Sequence, residues 1–231
     1  MTTLLLEDKM MSVKCDFVGT LEDEMTVEDL DYVVQEGLEA EEDFIETAAG
    51  ASKVVVIYRG LPYVVKIPAI GQYCCCEDED EDDECSTDKF IPFSGGNGDN
   101  AFDYCAAEVD IYEEAAFAGF EKYFAKTSFW KRTESGYPLY IQERVNTGAW
   151  NYVKEPSAAS KTIAESYNRF CYKITDPNWV ASFIDFFGEM EFLRFSNFLE
   201  EHELNDFHSG NLGYRLRTGE PVIFDYSGFY D

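Results

Sequence analysis

The chain has 231 residues, enough for one or two domains and a sizeable core. Apolar residues make up 45% and aromatic residues 16%, the composition of a globular protein and not of a disordered one. Lys and Arg number 18 against 46 Asp and Glu; the net charge of −28 repels nucleic-acid phosphates and argues against general DNA or RNA binding.

From Met1 to Asp8 there is no basic stretch, and only Leu4, Leu5 and Leu6 form an apolar run, so a secretory leader is not expected. Residues 1–40 read as an extension with one helix. Thr26 is its N-cap, Asp29 stands three positions on, and Val27, Leu30, Val33 and Val34 recur at helical spacing before Gly37. Residues 42–67 read as three strands: one opening at Phe44-Ile45, then Val54 to Tyr58, then Tyr63 to Ile67, closed by Pro68. A turn of small residues, Thr47 to Ser52, separates the first two.

Residues 71–100 break the pattern. Cys74-Cys75-Cys76 leads into an unbroken acidic run from Glu77 to Glu84, then Cys85, and the segment ends in the Gly- and Asn-rich stretch Ser94 to Asn100. A like-charge block followed by such a stretch reads as a solvated loop. The cysteines do not match zinc spacing, and neither His202 nor His208 is near them in sequence. The chain holds seven cysteines, an odd number, and no apolar run of membrane-spanning length. A cytoplasmic setting with free thiols and no membrane contact is expected.

A helix is expected over about 101–118, with Phe102, Cys105, Val109, Tyr112 and Ala116 on one side. Strand-like pieces follow from Tyr123 to Trp130 and from Pro138 to Glu143. Residues 157–174 and 178–201 read as helices, the second carrying a broad apolar face of Trp179, Phe183, Phe186, Phe187, Met190, Leu193 and Phe198. The last segment reads as a loop and a hairpin, with Leu212 to Leu216 pairing with Pro221 to Phe224.

The chemistry-bearing residues gather in Leu204 to Leu212 and in Val222 to Gly228. Phosphoryl transfer needs one group to orient a hydroxyl and take its proton, and oxygen ligands to hold Mg²⁺ against phosphates. Asp206, Asn211 and Asp225 supply such groups, and a hairpin between Asn211 and Asp225 would bring both to one place. The alternative is an Asx-rich turn leading into a hairpin, since Asp, Asn, Ser and Gly favour turns.

The segment Asp206-Phe207-His208-Ser209-Gly210-Asn211 resembles the D-x-H-x-x-N motif of the aminoglycoside-phosphotransferase branch of the protein-kinase-like superfamily. It is also similar to the D-x-H-S-G-N segment of some bacteriophage-encoded protein kinases. Asp225-Tyr226-Ser227-Gly228 stands where kinases carry D-F-G. The resemblance implies an α+β, bilobal fold: a β-rich N-lobe over 41–143 with the acidic insert 71–100, and a minimal helical C-lobe over 144–231. It implies ATP and Mg²⁺ as cofactors, Asp206 as the catalytic base, Asn211 and Asp225 as metal ligands, and His208 as a structural residue of the loop. Lys66, in Val64-Val65-Lys66, resembles the kinase strand-3 lysine that contacts the nucleotide phosphates. Glu108 is its expected ion-pair partner, with Glu113 and Glu114 as alternatives. Gly50 stands in the place of the glycine-rich loop, and Gln142 to Val145 in that of the adenine-binding hinge, with Glu143 and Val145 contacting the base.

The chain departs from the kinase pattern in three ways. Only Gly50 remains of the glycine loop, the catalytic loop lacks the arginine of H-R-D, and six residues follow Asp225. From the last, the activation segment and later C-lobe helices are expected to be missing. Three functions stay open: an ATP-dependent phosphotransferase of the cytoplasm (the host's, if the gene is viral), a catalytically silent kinase-like module that binds a basic partner protein through its acidic surface, and an acidic DNA mimic.

Overall fold

The computed structural model describes residues 45–49, 52–58, 62–72, 89–92, 103–132, 136–167 and 174–226. The expected helix from Thr26 to Gly37, Gly50, the acidic run with its cysteines, and Ser227-Gly228 lie outside the described residues.

Strands β1 (Ile45–Ala49), β2 (Lys53–Tyr58) and β3 (Tyr63–Gln72) form an antiparallel meander. Their valines explain it: β-branched side chains fit a pleated surface, and Val54, Val56 and Val65 are buried. The turn between β1 and β2 is narrower than expected, because Thr47, Ala48 and Ala49 belong to β1. Pro68 does not end β3. It pairs with Lys53, the first residue of β2, and the strand runs on to meet β4 (Lys89–Pro92) through Ala69 to Gln72. The proline thus sits where one ladder gives way to another, so its missing N–H falls at a ladder end. β4 also lies inside the stretch expected to be loop throughout.

Helix α1 (Tyr104–Ala118) starts at Asp103, whose side chain accepts the N–H of Ala106 at 2.9 Å, and ends at Gly119 in the left-handed region. Its buried stripe is Cys105, Ala107, Glu108, Ile111 and Ala115. The expected stripe differs: Val109 is half-buried and Ala116 exposed. A glutamate takes a place in the inward face, which a purely apolar reading assigns to solvent.

A 3₁₀ turn over Glu121–Tyr123 precedes β5 (Thr127–Arg132), so only the end of the expected 123–130 strand is strand. β6 (Pro138–Glu143) completes a sheet of order β1-β2-β3-β6-β5, with β4 on the far end of β3. A second, three-stranded sheet combines β7 (Val145–Thr147), β8 (Leu212–Arg215) and β9 (Pro221–Ile223). β8 and β9 are the expected hairpin; β7, only three residues long, gave no sequence signal.

The helical part holds α2 (Ala158–Tyr167), α3 (Pro177–Phe187) and α4 (Glu189–Glu201). Asp176 caps α3, and Pro177 takes its first turn, where a missing N–H costs nothing. The single helix expected over 178–201 is broken at Gly188, whose φ of 92° only glycine adopts readily. The break folds α4 so that Phe192 and Phe195 meet Phe183, the Phe183 and Phe195 rings stacking 5.4 Å apart. Trp179, Phe183, Phe192 and Phe195 are wholly buried, and Tyr123, Phe124 and Tyr226 join them from outside the helices. Among the described residues, no helix is long and apolar enough to cross a membrane.

Several hydrogen bonds tie the strand-rich part to the rest of the chain. Arg144 donates its N–H to Pro62 O at 2.8 Å, and Ala125 donates to Ile223 O at 2.7 Å. Arg215 on β8 reaches Glu143 Oε1 at 3.0 Å and Phe124 O at 3.1 Å. These ties leave a cleft between the first sheet and the β8–β9 hairpin.

Candidate functional site

Antiparallel register decides which side chains share the cleft. Val55 faces Lys66 across the β2–β3 ladder, so Lys53, Val55, Ile57, Val64 and Lys66 share one face of the sheet. α1 presents Glu108 to that same face. Lys66 Nζ lies 2.8 and 2.9 Å from the two Glu108 carboxylate oxygens, so the pairing expected from sequence is present. Glu113 and Glu114, the alternatives, are exposed, and Glu114 pairs with His202 at 2.9 Å.

Glu108 is fully buried, and a lone carboxylate there would carry a large desolvation cost. Its neighbours offset that cost. Lys53 Nζ donates to Oε1 at 2.6 Å, and Gln142 Nε2 donates to Oε2 at 3.3 Å. Gln142 is held in turn by Thr127, whose Oγ1 accepts from the same amide at 2.7 Å.

Lys53 links this buried cluster to the hairpin. Its ammonium also donates to Asp225 Oδ1 at 2.7 Å, while Lys66 donates to Phe224 O at 2.9 Å. Two cations and two carboxylates thus meet within hydrogen-bonding distance. Burial raises the Asp225 pKa, but the charges of Lys66 and Lys53 outweigh it and bring the carboxyl down to about 2. Burial works against the charge on Lys53, and the carboxylates of Glu108 and Asp225 overcome it, so this lysine stays charged. Nothing in the sequence singles out Lys53. A lysine opening an apolar strand is an ordinary sight, and its place on the Lys66 face of the sheet emerges only from the register.

β9 delivers Asp225 as expected. Pro221, Val222 and Ile223 are buried, and Asp225 lies two residues beyond the strand. Asn211 stands before β8, and its carbonyl accepts the N–H of Phe224 at 3.0 Å and that of Asp225 at 3.5 Å, so the hairpin does bring the two together.

The Asp206–Asn211 loop is held by its own polar groups. Asn211 Nδ2 donates to Asp206 O at 2.8 Å, His208 N donates to Asp206 O at 3.0 Å, and Gly210 N donates to His208 Nδ1 at 3.0 Å. His208 therefore shapes the loop, as its expected structural role requires. Phe207 anchors the loop in the core, wholly buried and bridged to Ile174. Asp206 itself has φ 68°, a left-handed conformation unusual for a residue with a side chain, and its carboxylate is exposed.

The cleft encloses about 420 Å³. Val55, Ile57 and Val64 line one wall, and Leu216 and Phe224 are apolar lining from the hairpin side. Glu143, Arg144, Val145 and Asn146 form one edge, and Lys66 and Asp225 also line it. Of the sequence-derived candidates, Lys66, Asp225, Glu143 and Val145 line the cleft. Glu108 sits behind Lys66. Asp206 and Asn211 are outside the lining, joined to it through the Asn211 carbonyl. Gly50 is outside the described residues.

The groups present could take a polyanion with a hard cation: apolar walls for a flat ring, an ammonium, and an ionised carboxylate, with the Asn211 amide on the adjoining loop. Among the described residues, no group of three or more His, Cys, Asp or Glu side chains could hold a metal ion by itself. A cation here would draw on Asp225, Asn211 and oxygens of its ligand, the usual arrangement for Mg²⁺. No protein-family model matches the chain, and no curated protein matches it.

Proposed function

We propose that the chain is a phosphotransferase of bilobal, kinase-like architecture that binds ATP with Mg²⁺ and transfers the γ-phosphoryl group to a hydroxyl. The observation that carries this reading is the buried Lys66–Glu108 ion pair, set beside Asp225 in one cleft. In kinases, that strand–helix ion pair and the metal-binding aspartate must both be in place for turnover.

On this reading the apolar walls take the adenine, and the backbone around Glu143 and Val145 lies along its edge. Lys66, held straight by Glu108, meets the phosphates. Asp225, ionised throughout the neutral range, and Asn211 offer oxygens to Mg²⁺, which when bound neutralises charge on the phosphates. Asp206 orients the acceptor hydroxyl and takes its proton; the left-handed backbone and the Asn211 and His208 hydrogen bonds to its carbonyl fix the main chain from which the carboxylate projects. A cytoplasmic, reducing setting fits the free, buried Cys105.

The net charge of −28 favours a second reading, in which the same fold binds a basic protein partner through its acidic surface without turnover. Release of phosphate or self-labelling from γ-labelled ATP separates the two. The phosphotransferase reading expects Mg²⁺-dependent turnover that falls by at least a hundredfold in Asp206→Ala while ATP binding persists. Equal labelling by wild type and Asp206→Ala, or none by either, refutes the catalytic role.

A further inference from the structure

Lys66 lines the cleft, and a second buried lysine, Lys53, contacts the cleft residue Asp225 from behind the lining with no role yet assigned to it. Its side chain is 5% exposed, and its ammonium is shared between Glu108 Oε1 at 2.6 Å and Asp225 Oδ1 at 2.7 Å. It reaches there because β2 begins at Lys53, one strand across from Lys66 and on the same face. Among the described residues, the charged groups gathered with it are Lys66, Glu108 and Asp225.

We infer that Lys53 is a positioning residue that competes with the divalent cation for Asp225, so that the site takes metal only together with a polyphosphate. The inference rests on the nucleotide reading of this cleft. A cation bound to Asp225 must displace the Lys53 ammonium from Oδ1 or sit beside it, and two cations that close in a poorly solvated site repel strongly. Metal alone therefore binds weakly. When phosphates enter with the metal, they offer the displaced ammonium new acceptors, and the penalty disappears. Metal and nucleotide binding become coupled through one side chain.

The experiment titrates Mn²⁺, with and without ATP, into wild type, Lys53→Gln, Lys53→Met and Lys53→Arg, reading bound metal by electron paramagnetic resonance and folding by thermal unfolding. Gln keeps an N–H donor for Glu108, and Met is the second neutral variant should Gln unfold. Wild type is expected to hold Mn²⁺ alone at least tenfold more weakly than the neutral variants, and Arg is expected to restore the wild-type weakness. The tighter binding should vanish when Asp225→Asn is added. A purely structural lysine predicts the opposite sign, since its loss would loosen the site and weaken metal binding. The proposal is overturned if the neutral variants bind Mn²⁺ no tighter than wild type while wild type binds Mn²⁺ with ATP; the nucleotide reading then stands alone. Tight Mn²⁺ binding by wild type without nucleotide also overturns it, and needs no variant. If no protein binds Mn²⁺ with or without ATP, both this proposal and the nucleotide reading fall.

Discussion

Lys66 and Glu108, 42 residues apart in the chain, meet with Nζ 2.8 Å from Oε2, inside the protein and next to the hairpin that carries Asp225. The pair joins β3 to α1, and through the Phe224 carbonyl it joins both to the second sheet. It is at once a structural node and the wall of a cleft.

Removing one partner of such a node should be costly. Glu108→Ala leaves two buried ammonium groups near each other and takes away the carboxylate that both of them contact. A loss of about 3–5 kcal/mol is expected in urea unfolding, the usual cost of orphaning a buried charge. Glu108→Gln should fall between wild type and Ala, because it keeps acceptor and shape but not charge.

Acid should weaken the protein through Asp225. Its folded pKa of about 2 lies below the unfolded value of about 3.9, so its contribution is present above about pH 4 and is lost as pH falls through 2. With about a third of the side chain exposed, screening reduces that contribution to about 1–2 kcal/mol. Unfolding free energies of wild type and Asp225→Asn, measured from pH 5 to pH 2, should converge by that amount. Parallel curves would show that Asp225 is not held by the lysines.

The floor of the cleft depends on one glycine. A Cβ at Gly213 would lie 2.4 Å from Asn146 O across the β7–β8 ladder and 3.3 Å from the Phe224 ring. Both contacts involve residues that line the cleft. Gly213→Ala is expected to cost about 1–3 kcal/mol by thermal or urea unfolding. It should also weaken ATP binding, because it separates β7 from β8. Alanine at Gly136, where nothing crowds a Cβ but φ is 93°, shows what backbone strain alone costs, away from the cleft.

How far the sequence reaches into this site depends on what each residue needs. Asp206, Asn211 and Asp225 were legible because turn chemistry and a short hairpin act over a few residues, and the Asn211 carbonyl does close that hairpin onto Phe224. Glu108 was legible only as one of several acids, since helix spacing cannot say which faces Lys66. Lys53 was invisible, because its role comes from strand register and not from its neighbours in the chain. The break at Gly188 was hidden by an apolar pattern that continues across it, and β7 by its brevity. Strand and helix patterns agree with the α+β class, whereas the buried stripe of α1 departs from the apolar one because a glutamate lies within it.

The most direct test of the central claim is thermal unfolding with and without Mg²⁺·ATP, for wild type beside Lys66→Met and Asp225→Ala. At a hundredfold the dissociation constant, a ligand stabilises the native state by about 2.7 kcal/mol, a rise of several degrees at this size. A rise in wild type that both variants lose is the predicted result. No rise in wild type at millimolar nucleotide, or an equal rise in all three proteins, would contradict the account.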